Sequence, residues 1–383
     1  MRMAQHTWFQ GGFALLLILL VPALLLSRPG ERAFPASSVP AEKLLLPQDV
    51  SALVLKTQFE EFTVYQFSGL LKVKSWDLDE AEDDLWIGTD NGLLRFRTDT
   101  GKWFLYGETA GIPGSIVSAV VASSGSVLVE IDMPTRPGCM APMGGFLFDP
   151  GKMSWQKVFE RGVWDLAWQG NRFLFAPGAL EFLDPVSKSR FRFDVSNAPL
   201  NDLIHAIFPW KNQIWVAMME DIPESGLGGG VACLFLPERQ WQRYTVGHGL
   251  ATGGCFDLAV DDQNVWTCHW NVEAGLSHLD RSSGVWTPHL RTRDGIKLGG
   301  SRLALADGLV WIAQPGGLVA YDRISGKAKR YTQLDGMPGY ILSAVKAGRN
   351  SLWAVAYSAS SSQIRMSGLV RFPLRHRMKD STE

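Results

Sequence analysis

Apolar and polar residues alternate along this chain in short stretches, and the stretches recur. A Leu/Val/Ile-Trp step, a Gly-Leu step and an aromatic step repeat about every 40 to 50 residues, a period typical of stacked supersecondary units. The clearest copies pair Leu85-Trp86 with Gly92-Leu93, Val265-Trp266 with Gly275-Leu276, Val310-Trp311 with Gly317-Leu318, and Leu352-Trp353 with Gly368-Leu369. Three weaker anchors, Leu128-Val129, Leu174-Phe175 and Ile214-Trp215, fill the gaps. Each anchor follows an alternating stretch and a turn such as Asp83-Asp84, Gly170-Asn171 or Asp307-Gly308, which is the signature of a hairpin. A fourth strand carrying an aromatic comes after each Gly-Leu step, as at Gly101-Lys102-Trp103 and Gly284-Val285-Trp286. Four antiparallel strands make a propeller blade. The pattern therefore predicts an all-β, seven-bladed β-propeller over residues 57–374. The last unit ends without a fourth strand, whereas Phe62 to Tyr65 has the fourth-strand phase of Trp103 to Tyr106. An N-terminal strand, Thr63-Val64-Tyr65, is expected to lie beside Leu369-Val370-Arg371 and remove the open edges.

The connectors repeat too. The stretches 111–120 and 336–345 share Gly, Pro-Gly, Ile and Ser-Ala-Val at the same spacing. Taken from Asp84 to Val120 and from Val310 to Val345, the chain resembles the two-component regulator propeller repeat of periplasmic sensor regions in bacterial hybrid histidine kinases. Blades two and three depart from it, with Val129 in place of Trp, and Phe175 followed by Ala179-Leu180. That resemblance implies a ligand-sensing propeller outside the cytoplasm. No kinase or DNA-binding region follows the propeller in this sequence, so the implied sensing lacks its output module here.

Residues 8–26 carry no charge. Their apolar length falls between a signal-peptide core and a spanning helix of roughly 20 residues. Residues 1–27 thus read as an N-terminal hydrophobic helix, either a signal peptide or a membrane anchor. The expectation is an inner-membrane anchor, because Arg28 and Arg32 stand where a cleavage site wants small residues. Residues 28–56, with Pro29, Pro35, Pro40 and Pro47, read as a tether, and 375–383 as a polar tail. The implied location is the periplasm or cell surface.

With 37 basic against 38 acidic residues and a net charge of -1, the chain offers no field for a phosphate backbone, so nucleic acid is not an expected partner. No nucleophile elbow, HExxH pair, Walker loop or dinucleotide fingerprint is present in the sequence. No cofactor or metal is expected.

In a propeller the innermost strands begin, and the second strands end, on one face. Long insertions after the anchors of blades two, four and seven extend that face, which marks it as the binding face. Glu130, Asp132, Arg136, Glu220 and Asp221 read there as loop charges, either merely solvated or forming an acidic mouth. Polar residues recur on the innermost strands: Asp77, Asp165, Asp257 and Arg302, with His205 one residue out of phase. These side chains either accept backbone N–H bonds from a neighbouring blade or converge on a polar ligand. His269, Trp270 and Glu273 join the ligand-binding candidates near the same mouth. Cys255 and Cys268 lie near each other across a predicted hairpin, directly opposed or one diagonal apart, as a disulfide, as free buried thiols, or as part of a metal site with a histidine. The expected function is recognition of a small ligand or an envelope protein partner. The alternatives are a propeller-type lyase or hydrolase using His269, Glu273, Asp257 and Asp77, and a scaffold subunit.

Overall fold

The hydrophobic anchors lie on the second strands of seven four-stranded antiparallel sheets, arranged in chain order as blades 1 to 7. The protein is represented by a computed structural model that describes residues 46–67, 75–136, 139–177, 179–193, 203–219, 228–269, 272–290, 292–293, 295–339, 341–360 and 363–375. The expected N-terminal helix and most of the tether fall outside these residues. Among the described residues no helix is long and apolar enough to cross a membrane. Innermost strands are Ser75–Ala81, Ile116–Ala122, Leu166–Gln169, Ile204–Trp210, Cys255–Val260, Arg302–Ala306 and Ile341–Ala347. Blade 3 is the smallest, with strands of three or four residues.

The expected closure is present. Thr63–Phe67 forms the fourth strand of blade 7, pairing Thr63 with Arg371, Val64 with Val370 and Tyr65 with Leu369. Two strands were not foreseen. Val54–Gln58 adds a fifth strand outside Thr63–Phe67, and Gln48–Asp49 pairs with Lys102–Tyr106 of blade 1. Gln48–Asp49 lies within the stretch read as a tether, and Val54–Gln58 begins in it and ends just beyond. The segment thereby covers both seams of blade 7. Phe62 packs on Tyr331 of blade 6 and Phe372 of blade 7, while the Val50 N–H bonds the Trp103 carbonyl at 3.0 Å.

The core is divided among the seams. Seven apolar clusters each join residues of two adjacent blades. Trp86, Trp215, Trp266, Trp311 and Trp353 are all at most 5% exposed and fill the seam with the following blade. This is why the Trp step repeats: at five of the seven seams one large ring closes the wedge between neighbouring sheets. The Gly-Leu step has an equally local cause. A Cβ on Gly92 or Gly317, both at positive φ, would meet the last carbonyl of the same blade's fourth strand at 2.4 and 2.1 Å. No larger residue can start the third strand there.

Two insertions on the expected binding face are not loops. Val127–Arg136 and Cys139–Asp149 continue the ladder of blade 2, and Ser351–Ser360 and Gln363–Pro373 do so in blade 7. The insertion of blade 4, with Glu220 and Asp221, lies outside the described residues.

The latch gives a direct test. Truncating Phe62, 3% exposed between two blades, is expected to cost about 3 kcal/mol or more. Urea unfolding of Phe62→Ala against the parent measures it, and an unchanged midpoint would show that the seam holds without this ring.

Candidate functional site

An innermost strand has no strand on its inner side, so its inward N–H groups need other partners. Three aspartates supply them. Asp77 Oδ2 accepts the Val120 N–H of blade 2 at 3.0 Å, Asp165 Oδ2 the Ile207 N–H of blade 4 at 2.7 Å, and Asp257 Oδ2 the Leu303 N–H of blade 6 at 2.7 Å. Asp77 and Asp257 also accept the N–H of the next residue, Leu78 or Leu258, at 2.8 Å. One turn of the pleat further along, Asp79 Oδ2 takes the Ala122 N–H at 2.9 Å while its Oδ1 meets Lys346 Nζ of blade 7 at 3.4 Å. Of the two roles considered for these aspartates, bridging between blades is the one observed, and it joins blade 1 to 2, 3 to 4 and 5 to 6.

These groups interact across the channel. Burial raises the carboxyls of Asp77 and Asp257 above the ordinary range, with Arg302 and Lys346 opposing the shift. Asp165 is pushed up to about 7, first by burial and then by the charge of Asp77. Lys346 is held protonated by Asp79, Asp77 and Asp165, against the cost of its own burial. The axis is thus a mixed-charge cluster whose carboxylates are largely engaged with backbone.

The mouth is different. His205 is the bulged residue where blade 4's pairing slips between Ile204 and Ala206, and Phe256 takes the corresponding place in blade 5. The bulge turns both rings toward their neighbours. Trp164 stacks on His205 at 4.5 Å and 16°, His205 meets Phe256 at 4.8 Å, and the Arg302 guanidinium lies 5.2 Å from the Phe256 ring centre. The result is an unbroken arc over blades 3 to 6. Burial, reinforced by Arg302, depresses His205 to about 3, so its ring is neutral at physiological pH. Trp164 is 59% exposed and offers an open indole to solvent. Trp164 and Phe256 were not among the residues read as site residues. Their signal was the recurring aromatic-Asp-Leu triplet, Trp164-Asp165-Leu166 and Phe256-Asp257-Leu258, in which only the Asp drew attention.

Other expectations are corrected. Glu130 and Asp132 are not loop charges: both lie on Val127–Arg136, and Glu130 is 1% exposed. Glu130 accepts the Val163 N–H at 3.3 Å, next to Trp164, and burial together with the charge of Asp132 pushes it up to about 9. Asp132 is raised by burial and hydrogen-bonds Ser118. Cys255 and Cys268 are free, buried thiols rather than a disulfide. A bulge at Phe256 pairs Cys255 with His269 and Cys268 with Asp257. Burial raises Cys255 to about 12 and Cys268 well above its usual range, which leaves both thiols protonated and unreactive. His269 is fully buried between Thr252 Oγ1 at 3.0 Å and Ser277 Oγ at 2.8 Å, so it does not meet Asp257. Glu273 is exposed and paired with Lys297. Trp270 falls outside the described residues, and for Arg136 only the backbone is described, paired with Cys139 at the tip of blade 2's hairpin. Among the described residues no group of three or more His, Cys, Asp or Glu could hold a metal ion.

No protein-family profile matches the chain, and no curated protein matches it in sequence. Solved structures do match. The likeness is one of fold. The computationally designed Ika8 protein superposes with a TM-score of 0.53 at 13% identity, over 82% of this chain and 95% of that one. The extracellular domain of a protein assigned as a hybrid two-component system of B. thetaiotaomicron gives 0.55 at 11% identity, over 78% of this chain and 39% of that one. An ancestral GH74 enzyme gives 0.56 at 11%, over 85% and 52%. An extracellular domain of a two-component system, an enzyme and a designed protein share the architecture, so function must be argued from the site.

Two measurements test this account of the site. Asp257→Ala leaves the Leu258 and Leu303 N–H groups without their acceptor, and is expected to cost about 2 kcal/mol or more in urea unfolding. Asp257→Asn, which keeps one acceptor oxygen, should recover part of that loss. Glu130 has a folded pKa of about 9, above its unfolded value, so its contribution to stability is complete below about pH 4 and is lost as pH rises through 9. Unfolding free energy should therefore fall between pH 5 and 9, and fall less in Glu130→Gln. Equal slopes would remove Glu130 from the explanation.

Proposed function

We propose that this chain is an exported propeller, held at the membrane by residues 8–26, whose channel mouth binds a small flat-faced ligand in the periplasm or at the cell surface. The observation that carries the reading is the arc of Trp164, His205, Phe256 and Arg302: three rings in contact, the first two stacked and the third tilted against them, ending in a guanidinium, with the first ring open to solvent. A ligand ring can stack on the free face of Trp164 while a polar substituent reaches toward Arg302. Neutral His205 lets the stack form without a second positive charge beside Arg302. The resemblance of the repeat to sensor propellers supports recognition rather than turnover. The lyase or hydrolase reading has less behind it, because His269 and Asp257 do not meet and Glu273 is exposed.

A thermal-shift screen of metabolites tests this reading, since a ligand that binds the folded state raises its melting point. Hits should lose their shift in Trp164→Ala, while the unliganded midpoint moves little because the indole is mostly exposed. A panel whose shifts survive that substitution would place binding elsewhere and sink the proposal.

A further inference from the structure

Where blade 2 passes to blade 3, on the same face but outward from the mouth, a groove of about 570 Å³ opens between the two sheets. Its walls include Phe159, Arg161, Pro177, Glu181, Arg190 and Arg192. We infer that this groove is a second binding site, for a small anion bearing two or more carboxylate or phosphate groups, held by Arg161 and Arg192.

The argument rests on which charges are already committed. Arg190 bonds the Glu181 carboxylate, donates to the Val158 carbonyl of blade 2 at 2.7 Å, and lies 5.5 Å from the Phe175 ring centre. Phe175 in turn stacks on Phe159 at 4.6 Å. One side of the groove is therefore a rigid wall that ties the two blades together, and its only acidic side chain is neutralised within it. Glu160 at the rim is taken by Lys157. Arg161 and Arg192 remain. Both are exposed, and neither has an ion-pair partner among the described residues. They reach the groove from different elements, Arg161 from the connector between blades and Arg192 from the end of Arg190–Arg192.

Charged residues on an outer strand also guard a sheet edge against pairing, and that role accounts for Arg190 and Arg192. It does not account for Arg161, which is on no strand. Two guanidinium forks facing one cavity suit planar carboxylates and phosphates, which each can grip with two hydrogen bonds. The volume falls within the roughly 300–1,000 Å³ of small-molecule sites. None of these residues belongs to the Trp164 arc, so the two sites stand or fall separately.

Calorimetric titration of the full chain with citrate and, separately, with tripolyphosphate at low ionic strength provides the test. Saturable binding of at least one is expected, weakened tenfold or more in the double variant Arg161→Ala, Arg192→Ala. The unliganded melting point should stay put, because neither side chain has an ion-pair partner among the described residues. Citrate as the sole binder assigns polycarboxylates, and tripolyphosphate as the sole binder assigns phosphate compounds. Lys152→Ala, which removes a distant exposed charge, should leave the affinity as it was. Absence of saturable binding by both anions, or affinity retained in the double variant, would overturn the assignment.

Discussion

Closing sheets face to face into a ring leaves every blade with an inner edge at the centre, where seven innermost strands present N–H and C=O groups with no further strand to receive them. The three bridging aspartates answer that constraint. Each spans a seam and binds one blade to the next through a carboxylate rather than a strand. Blades 2 and 4 place Ala119 and Ala206 where their neighbours place Asp. A crowded axis accommodates acidic groups only at intervals, since like charges in a low-dielectric channel repel.

The same economy shapes the electrostatics. Four carboxylates meet two cations, Arg302 and Lys346, along the axis, and burial raises Asp77, Asp165 and Asp257 rather than leaving them as ordinary surface acids. Carboxylates engaged with backbone are poor recognition groups, because a ligand has to displace bonds that hold the blades together. At the rim the arrangement differs: bulges turn His205 and Phe256 out of the ladder, and Trp164 beside them leaves an exposed indole. An aromatic ring and a bridging carboxylate are adjacent in sequence at Trp164-Asp165 and Phe256-Asp257, so the segments that hold the blades together also position the rings above them.

Closure of the ring depends on the opposite end of the chain. Residues 48–67 contribute to both seams of blade 7, with Phe62 in the seam toward blade 6 and Val50 and Tyr65 in the cluster shared with blade 1. A propeller whose last blade is completed by its first residues cannot open at that seam without losing a strand. The ring is correspondingly rigid, and its two elaborated hairpins, in blades 2 and 7, grow from the face that carries the mouth.

How much of this was legible depended on whether a feature is local or between blades. The Trp and Gly-Leu steps disclosed blade number, strand order and the closing pair Tyr65 with Leu369, because each step answers a constraint inside one repeat: a seam to fill, or a carbonyl to avoid. The candidate site was only half legible. His205 and Arg302 could be placed near the mouth, but the stack joining them needed the bulges at His205 and Phe256, which shift side chains by one position without changing the hydrophobic pattern. Glu130 looked like a loop charge because nothing in a sequence shows that an insertion will continue a ladder and bury it. Cys255 and Cys268 could be placed near each other across a hairpin, but whether they stood opposed or one diagonal apart was decided by a bulge. Periodicity, in short, determined the ring; which side chains meet across a seam was decided only when seven sheets were brought to one axis, since those contacts join residues some 40 positions apart.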